Sequence, residues 1–462
     1  MKTKTVMIGI LALVIGVFSN TQSVFAQRVD DDSEIEMKEK HAKGDFSAGR
    51  SPDGFGVFKN HETDWCFKRT LQYAYVGAAQ VGECLYAAKM INQRGEEYWS
   101  DEWYKLAQRL EKQADESLVK GNKISARDAY LRACNYYRTA EYGASPNDTM
   151  FKTAWEKSRA CFHKACPLFT PAIQIIEVPF EDQMLPGYFW TPDNTEVKRP
   201  TLFSVGGNDS SGEEVFFFDG KAAIERGYNF FTFEFPGHRG TVHLYPDCVK
   251  RADMEKAFKA AFDVLETLQG VDERIALTGI SFGGYVSSRV AIHEPRVAAV
   301  IPNSPLIDIK RTQEEMLTLL DSKFPEKMIA RMLDKTMNKS LLTKSMLEYS
   351  MWNNGLHDYS GIGIINSVKE YDYEPWNISQ EIEKITCPVL ILVSEDEGKV
   401  LLEQAYEFYE GVSSEVKHMH IFSLENDGSN DHCQLDNRSR SNEVKFDWLN
   451  EVFNYYHSKT TL

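Results

Sequence analysis

Residues 279–284 read Gly279-Ile280-Ser281-Phe282-Gly283-Gly284, preceded by Arg274-Ile275-Ala276-Leu277-Thr278 and followed by Tyr285-Val286-Ser287-Ser288-Arg289-Val290-Ala291. A G-x-S-x-G between a short apolar run and a helical one is a nucleophile elbow, and its glycines are needed because larger neighbours would clash as the turn tightens. The turn lifts the Ser281 hydroxyl off the sheet and leaves the Phe282 N–H, at a helix start, to hold an oxyanion. A serine hydroxyl is a poor nucleophile until a base takes its proton, and a carboxylate must hold that base in the right tautomer. The chain order on such a fold is Ser, then Asp or Glu, then His. The expected base is His432, in the loop Glu425-Asn426-Asp427-Gly428-Ser429-Asn430-Asp431-His432-Cys433 ahead of the C-terminal helix; His418 and His420 alternate on a strand, and His457 is in the tail. Glu395, Asp396 and Glu397 follow the strand 389–393. Glu397, four residues past the strand's end, is the expected acid, with Asp396 as the alternative. The loop Gly206-Gly207-Asn208-Asp209 supplies the second oxyanion donor, the Asn208 N–H. Just beyond it Asp209, Glu213 and Glu214 either bond a substrate hydroxyl or carbonyl or cap the following helix.

These groups need a scaffold, and the periodicity supplies one. Strand-like runs at 173–178, 187–190, 201–205, 229–233, 274–278, 297–301, 389–393 and 418–422 alternate with helix-like segments. That alternation predicts a mainly parallel sheet clothed by helices, the α/β-hydrolase fold. Residues 60–170 read as helices: Trp103, Leu106, Leu110, Ala114 and Leu118 share one face, and Ala126, Tyr130, Ala133, Tyr137 and Ala140 another. No second copy appears at a tetratricopeptide period, so an N-terminal helical cap is expected. The hydrolase core is read at 171–304 and 387–462. Between them, 305–386 is helical where one crossover helix would suffice, and an inserted lid is expected. Its Met316, Met328, Met332, Met337, Met346 and Met351 form either an adaptable apolar wall or ordinary packing.

Composition excludes several functions. The chain has 462 residues and a net charge of −16, which argues against a nucleic-acid partner. Met1-Lys2-Thr3-Lys4, an apolar run from Val6 to Phe18, and Val24-Phe25-Ala26-Gln27 form a secretory signal peptide at 1–26, cleaved after Ala26. A secreted or periplasmic protein without stable membrane insertion is expected. Cleavage removes Lys2 and Lys4, so the mature charge falls by two from −16 to −18. Residues 27–59 read as a mobile polar leader. The eight cysteines show no dense spacing and are read as buried free thiols, with one or two bridges left open. Metal-ligand spacing is absent, Cys161-Phe162-His163-Lys164-Ala165-Cys166 being most simply helical. Neither a metal nor a cofactor is expected; a homodimer is left open.

Together, Gly206-Gly207-Asn208-Asp209-Ser210 with Glu213-Glu214, Arg226-Gly227-Tyr228-Asn229, Pro236-Gly237-His238-Arg239-Gly240, Ser281-Phe282-Gly283-Gly284-Tyr285 through Val297, Cys387-Pro388-Val389-Leu390, Asp431-His432-Cys433 and, in the cap, Ala133-Cys134-Asn135-Tyr136-Tyr137-Arg138 are specific. Over roughly residues 60–455 the chain resembles the α/β-hydrolases with a helical N-terminal cap, a group that includes 2,6-dihydroxypseudooxynicotine hydrolase and fungal polyketide-processing hydrolases of the fusarin-cluster type. The resemblance implies Ser281 as nucleophile, His432 as base and the Asn208 and Phe282 amides as oxyanion hole. It also implies cleavage of carbon–carbon bonds in β-diketone-like or acyl-aromatic compounds, polyketide shortening, or internal acyl transfer. Two departures stand out. Relatives usually carry Asp where this chain has Glu397, and they read Asp-Gly-Pro-Gly-Gln-Gly where it has Glu234-Phe235-Pro236-Gly237-His238-Arg239-Gly240. The second places His238 and Arg239 near the site mouth as expected substrate-binding residues. The leading expectation is a serine hydrolase cleaving an ester, thioester or activated C–C bond in a small apolar or aromatic acyl compound. The alternatives are an acyltransferase on the same scaffold, a prolyl-oligopeptidase-like peptidase, or a non-catalytic helical binding module.

Overall fold

A computed structural model describes residues 54–455. The signal peptide read at 1–26 and most of the leader read at 27–59 lie outside the described residues, as does His457. The described residues begin with five α-helices, α1 (His61–Gln72), α2 (Val81–Arg94), α3 (Trp99–Val119), α4 (Lys123–Tyr142) and α5 (Thr149–Ala165). Asn60 starts α1 by accepting the Thr63 N–H on its side chain, and Asp148 starts α5 in the same way through Met150.

Eight strands follow in one sheet: β1 (Gln174–Phe180), β2 (Gln183–Trp190), β3 (Arg199–Val205), β4 (Asn229–Phe233), β5 (Val271–Ile280), β6 (Ala299–Asn303), β7 (Val389–Ser394) and β8 (Lys417–Phe422). Their spatial order is β1-β2-β4-β3-β5-β6-β7-β8. The β1–β2 and β2–β4 pairs are antiparallel, and the remaining neighbours are parallel. Strand β6 begins two residues later than its hydropathy predicts, because Val297 closes a turn onto the Glu294 carbonyl.

Parallel neighbours require crossovers, and helices supply them. The core helices are α6 (Glu255–Thr267) and α7 (Phe282–His293). The helical insertion between β6 and β7, called the lid after its expected role, follows as α8 (Glu314–Leu320), α9 (Glu326–Met337), α10 (Leu341–Trp352) and α11 (Gly361–Glu370), and the described residues close with α12 (Lys399–Gly411) and α13 (Arg438–Phe453). Both faces of the sheet are covered, and β4 and β7 are buried at every position. Under α6 the core is aromatic: Phe203, Phe231, Phe233, Phe258 and Phe262 meet at ring-centroid distances of 4.7–5.7 Å. Such pairs contribute about 0.5–1.5 kcal/mol each beyond their burial.

On the opposite face a single apolar cluster runs from the cap's Phe67, Trp103 and Tyr136 through Phe216, Phe217 and Phe218 to Leu202, Phe230 and Leu390 of the sheet. Cap and sheet therefore share one core. Asp219, in the same region, is fully buried and takes hydrogen bonds from Arg438 (2.9 Å), Lys445 (2.7 Å) and Ser204 (2.6 Å), tying α13 to β3. The lid has its own core, with Ile329, Leu333, Leu347, Ile364 and Met351 packed together. All eight cysteines are free thiols, seven of them buried. Among the described residues no helix is long and apolar enough to cross a membrane.

Candidate active site

Strand β5 ends at Ile280, α7 starts at Phe282, and Ser281 between them has φ 59° and ψ −122°. Few residues other than glycine adopt such a backbone, and here the surroundings impose it: the Ser281 N–H is held by the Asn303 carbonyl at the end of β6, 3.0 Å away. The approach of the β3 loop is equally constrained. A Cβ placed on Gly283 would lie 2.7 Å from the Gly206 carbonyl oxygen, and one on Gly207 would lie 2.9 Å from Ser281 Cβ. The Gly206-Gly207-Asn208 turn thus sits directly against the elbow. Phe282 opens α7, so its N–H has no intrahelical acceptor and stands at the positive end of the helix.

His432 and Glu397 come together from different loops. The Glu397 Oε2 lies 2.7 Å from His432 Nδ1 and accepts the Ser304 hydroxyl at 2.5 Å, while Oε1 accepts the N–H groups of Cys433 (3.2 Å) and Ser394 (3.4 Å). This carboxylate is buried. Asp396 points elsewhere, its Oδ2 taking the Asn430 amide at 2.9 Å. Between the two acids considered, the geometry puts Glu397 on the imidazole. Cys433, at φ 55°, turns its sulfur to 3.5 Å from His432 Nε2. Burial disfavours a charged ring, but the Cys433 sulfur and the Glu397 carboxylate outweigh it and hold the His432 pKa well above its ordinary value.

Ser281 and His432 line one cavity of about 170 Å³, together with Asn208, Phe282 and the apolar side chains Trp65, Phe218, Ile280, Leu306, Met346 and Leu435. Of the lid methionines noted above only Met346 reaches it. Asp209 also lines it, but its carboxylate is taken by Arg69 (2.8 and 3.3 Å) and by the Tyr142 hydroxyl. Burial would raise the Asp209 pKa; Arg69 and Tyr142 reverse that and hold it below the usual carboxylate range.

The other four expected substrate-binding residues are absent from the cavity wall. Glu213 is buried under the Tyr188 hydroxyl at 2.5 Å, and its pKa is raised by burial and by Glu234. Glu214 is enclosed by Arg69 (2.7 Å), Arg138 (3.2 Å) and Tyr73 (2.5 Å). His238 packs its Nδ1 on Glu234 at 3.0 Å. Arg239 reaches Glu141 at 2.5 Å and the Asp209 carbonyl at 2.9 Å. All four are buried, so they act as internal ties rather than as a polar mouth. Burying charges is tolerated when they are paired and hydrogen-bonded: Glu214, Arg239 and His238 each meet an oppositely ionising partner, whereas Glu213 takes the Tyr188 hydroxyl and is pushed toward its neutral form.

Sequence reasoning missed the contribution of α1. From it Arg69 holds Asp209, next to Asn208; Lys68 pairs with Asp431 at 2.5 Å, next to His432, and Trp65 Nε1 donates to the same carboxylate at 3.3 Å. It also missed Ser304 and Lys250. No local signal marks them, since each acts on a partner distant in sequence.

The coupling between Glu397 and His432 is directly measurable. In Glu397→Gln the imidazole loses its anionic partner, so its titration, followed by ring NMR signals, is expected at a lower pH than in the unaltered protein. An unchanged His432 titration contradicts the pairing.

The FrsA-like esterase family model, described as "Esterase FrsA-like", matches residues 78–401. Among curated proteins, the "Hydrolase acrC" of Aspergillus aculeatus is 34% identical over 278 residues, covering 55% of this chain and 64% of that protein. The "Hydrolase LUC6" of a Fusarium species is 27% identical over 419 residues, 86% of this chain and 98% of its own length. The "20-hydroxy-prefusarin hydrolase FUS2" of Gibberella moniliformis is 31% identical over 264 residues, 55% of this chain and 62% of its own. Among solved structures, 2,6-dihydroxy-pseudo-oxynicotine hydrolase superposes with a TM-score of 0.64 at 20% identity, covering 84% of this chain and 98% of that one, which shows the shared fold. The elbow, the mainly parallel sheet and the family match over most of the chain lead to one assignment: the protein belongs to the FrsA-like esterase family of the α/β-hydrolase superfamily.

Proposed function

We propose that the protein is an exported serine hydrolase that cleaves an ester, thioester or enolisable C–C bond next to a small apolar or aromatic acyl group. The observation that carries this reading is the 2.7 Å Glu397–His432 contact beside a cavity that also holds Ser281 and the Asn208 loop. In the first half-reaction Ser281 Oγ bonds to the acyl carbon, and its proton passes to His432 Nε2. The Asn208 and Phe282 amides take the developing oxyanion, at about 3–4 kcal/mol per donor. The acyl–leaving group bond then breaks and His432 returns the proton to the departing alcohol, thiol or enolate. Water, deprotonated by His432, releases the acid and restores Ser281.

Size and polarity narrow the acyl group. A cavity of about 170 Å³ is comparable with apolar cavities of roughly 150 Å³ that hold a benzene ring. The charged groups in its wall, Arg69 and Asp209, are bonded to each other, which favours a neutral substrate. The relatives named as hydrolases support hydrolysis over acyl transfer.

The test is a panel of p-nitrophenyl esters from acetyl to octanoyl, with benzoyl, beside aryl β-diketones, using the unaltered protein and Ser281→Ala. Turnover is expected to peak at benzoyl or short acyl groups and to fall at least about 10⁴-fold in Ser281→Ala. Turnover equal in both proteins sinks the assignment, and diketone cleavage without ester turnover selects the C–C reading. Export rests on the N-terminal residues 1–26. Protein recovered from the medium or periplasm is expected to begin at Gln27; a chain retained in the cytosol with Met1 or Lys2 at its start contradicts export.

A further inference from the structure

Behind the oxyanion loop runs the segment Cys248-Val249-Lys250, strapped on both sides. The Gly237 N–H donates to the Cys248 carbonyl (2.9 Å), and the Lys250 N–H donates to the Asn353 carbonyl just past lid helix α10 (3.1 Å). Gly237 has φ +82°, and a Cβ there would lie 2.1 Å from Lys250 Cγ. Only a glycine lets the lysine stem pass inward. Lys250 is 1% exposed. Its ammonium donates to the Asn208 side-chain oxygen and stands 4.6 Å from the Phe282 ring centroid, so it touches both residues assigned to the oxyanion hole. The lid holds the rest of Asn208: Nδ2 donates to Ser350 Oγ (2.9 Å), and Asn353 Nδ2 donates to the Asn208 carbonyl (3.2 Å) and side-chain oxygen (3.3 Å).

We propose that Lys250 is a positioning residue: with Ser350 and Asn353 of the lid it fixes Asn208, and its buried charge lies behind both oxyanion donors, so the oxyanion hole is complete only with the lid seated and Lys250 protonated. The proposal rests on the serine-hydrolase reading above. A neutral side chain of similar length would fill the same space without the desolvation cost of an ammonium, and a buried cation kept beside a reacting centre points to a use there. Asp209 is the charged group facing it from the β3 loop, already bonded to Arg69 of α1, Tyr142 of α4 and, through its carbonyl, Arg239. From α7 and the residue just past α10, Phe282 and Asn353 face it, both uncharged. Burial lowers the Lys250 pKa to about 7, with Asp209 opposing part of that shift. The ammonium is therefore charged below that pH and neutral above it, and oxyanion stabilisation declines as pH rises through it.

The test compares the unaltered protein with Lys250→Met on its best ester, as kcat and KM against pH, and in parallel as the rate of Ser281 labelling by a fluorophosphonate. Lys250→Met is expected to lower kcat about 10–100-fold with KM little changed, to lose the alkaline limb near pH 7, and to keep or raise the thermal midpoint. Retention of kcat within about twofold, or of the alkaline limb, overturns the proposal. If Lys250→Met does not fold, the Lys250 titration in the unaltered protein, read by ¹³Cε-lysine NMR, must coincide with the alkaline limb; a mismatch beyond about one pH unit overturns it. If Ser281 of the unaltered protein is neither labelled nor active, the hydrolase reading itself falls, an outcome distinct from a labelled enzyme indifferent to Lys250.

Discussion

Between the Gly206 carbonyl and the first turn of α7 there is room for a hydrogen atom and nothing larger, and the same holds between Gly207 and Ser281. Everything else about the site depends on that approach. It sets the Asn208 turn against Ser281 and the first turn of α7, the placement that the proposed oxyanion hole of two amide donors requires. A loop so close to a strained serine would drift if held only by its own Ser210–Gly207 hydrogen bond of 3.2 Å. It is held from three directions instead. The cap grips Asp209 through Arg69 and Tyr142, the lid grips Asn208 through Ser350 and Asn353, and the core reaches it through Arg239 and Lys250.

The base has a parallel arrangement. Asp431, the residue before His432, is bound by Lys68 and Trp65 of the same cap helix that supplies Arg69. One helix, α1, therefore steadies both the Asn208 loop and the His432 loop. Because the cap shares an apolar core with the sheet, α1 is seated by packing as well as by its charged side chains. The shared core is consistent with several buried ion pairs here: apolar contacts hold the geometry in which each charge has a partner that offsets its desolvation. The cavity wall then combines apolar side chains such as Trp65, Phe218 and Leu435 with uncharged polar ones such as Thr312, Gln313 and Ser350 and the mutually paired Arg69 and Asp209.

Legibility in the sequence followed the range of the interactions. The elbow, the strand-and-helix alternation, the cap and the lid are written in local patterns, and Ser281, His432 and the Asn208 loop carry glycines and flanking elements that mark them. Glu397 was separable from Asp396 only by its position past the strand; the structure adds the hydrogen bonds from Ser304, Ser394 and Cys433 that surround it. Glu213, Glu214, His238 and Arg239 misled for one common reason. Charged residues next to a catalytic motif look like a polar mouth, whereas their partners Tyr188, Arg138, Glu234 and Glu141 lie elsewhere in the chain and draw them inward. Arg69 and Lys250 were invisible for the converse reason, since neither has a neighbour in sequence that announces the carboxylate or amide it meets.

The proposed reaction requires the β3 loop and the elbow to present their amides to one oxygen beside Ser281. The most direct measurement is a crystal structure of the protein phosphonylated by a small aryl phosphonate. A single adduct on Ser281, with its phosphoryl oxygen within about 2.7–3.1 Å of both the Asn208 and Phe282 nitrogens, is the predicted result. An adduct elsewhere, or one on Ser281 whose oxygen faces solvent or Arg69, contradicts it.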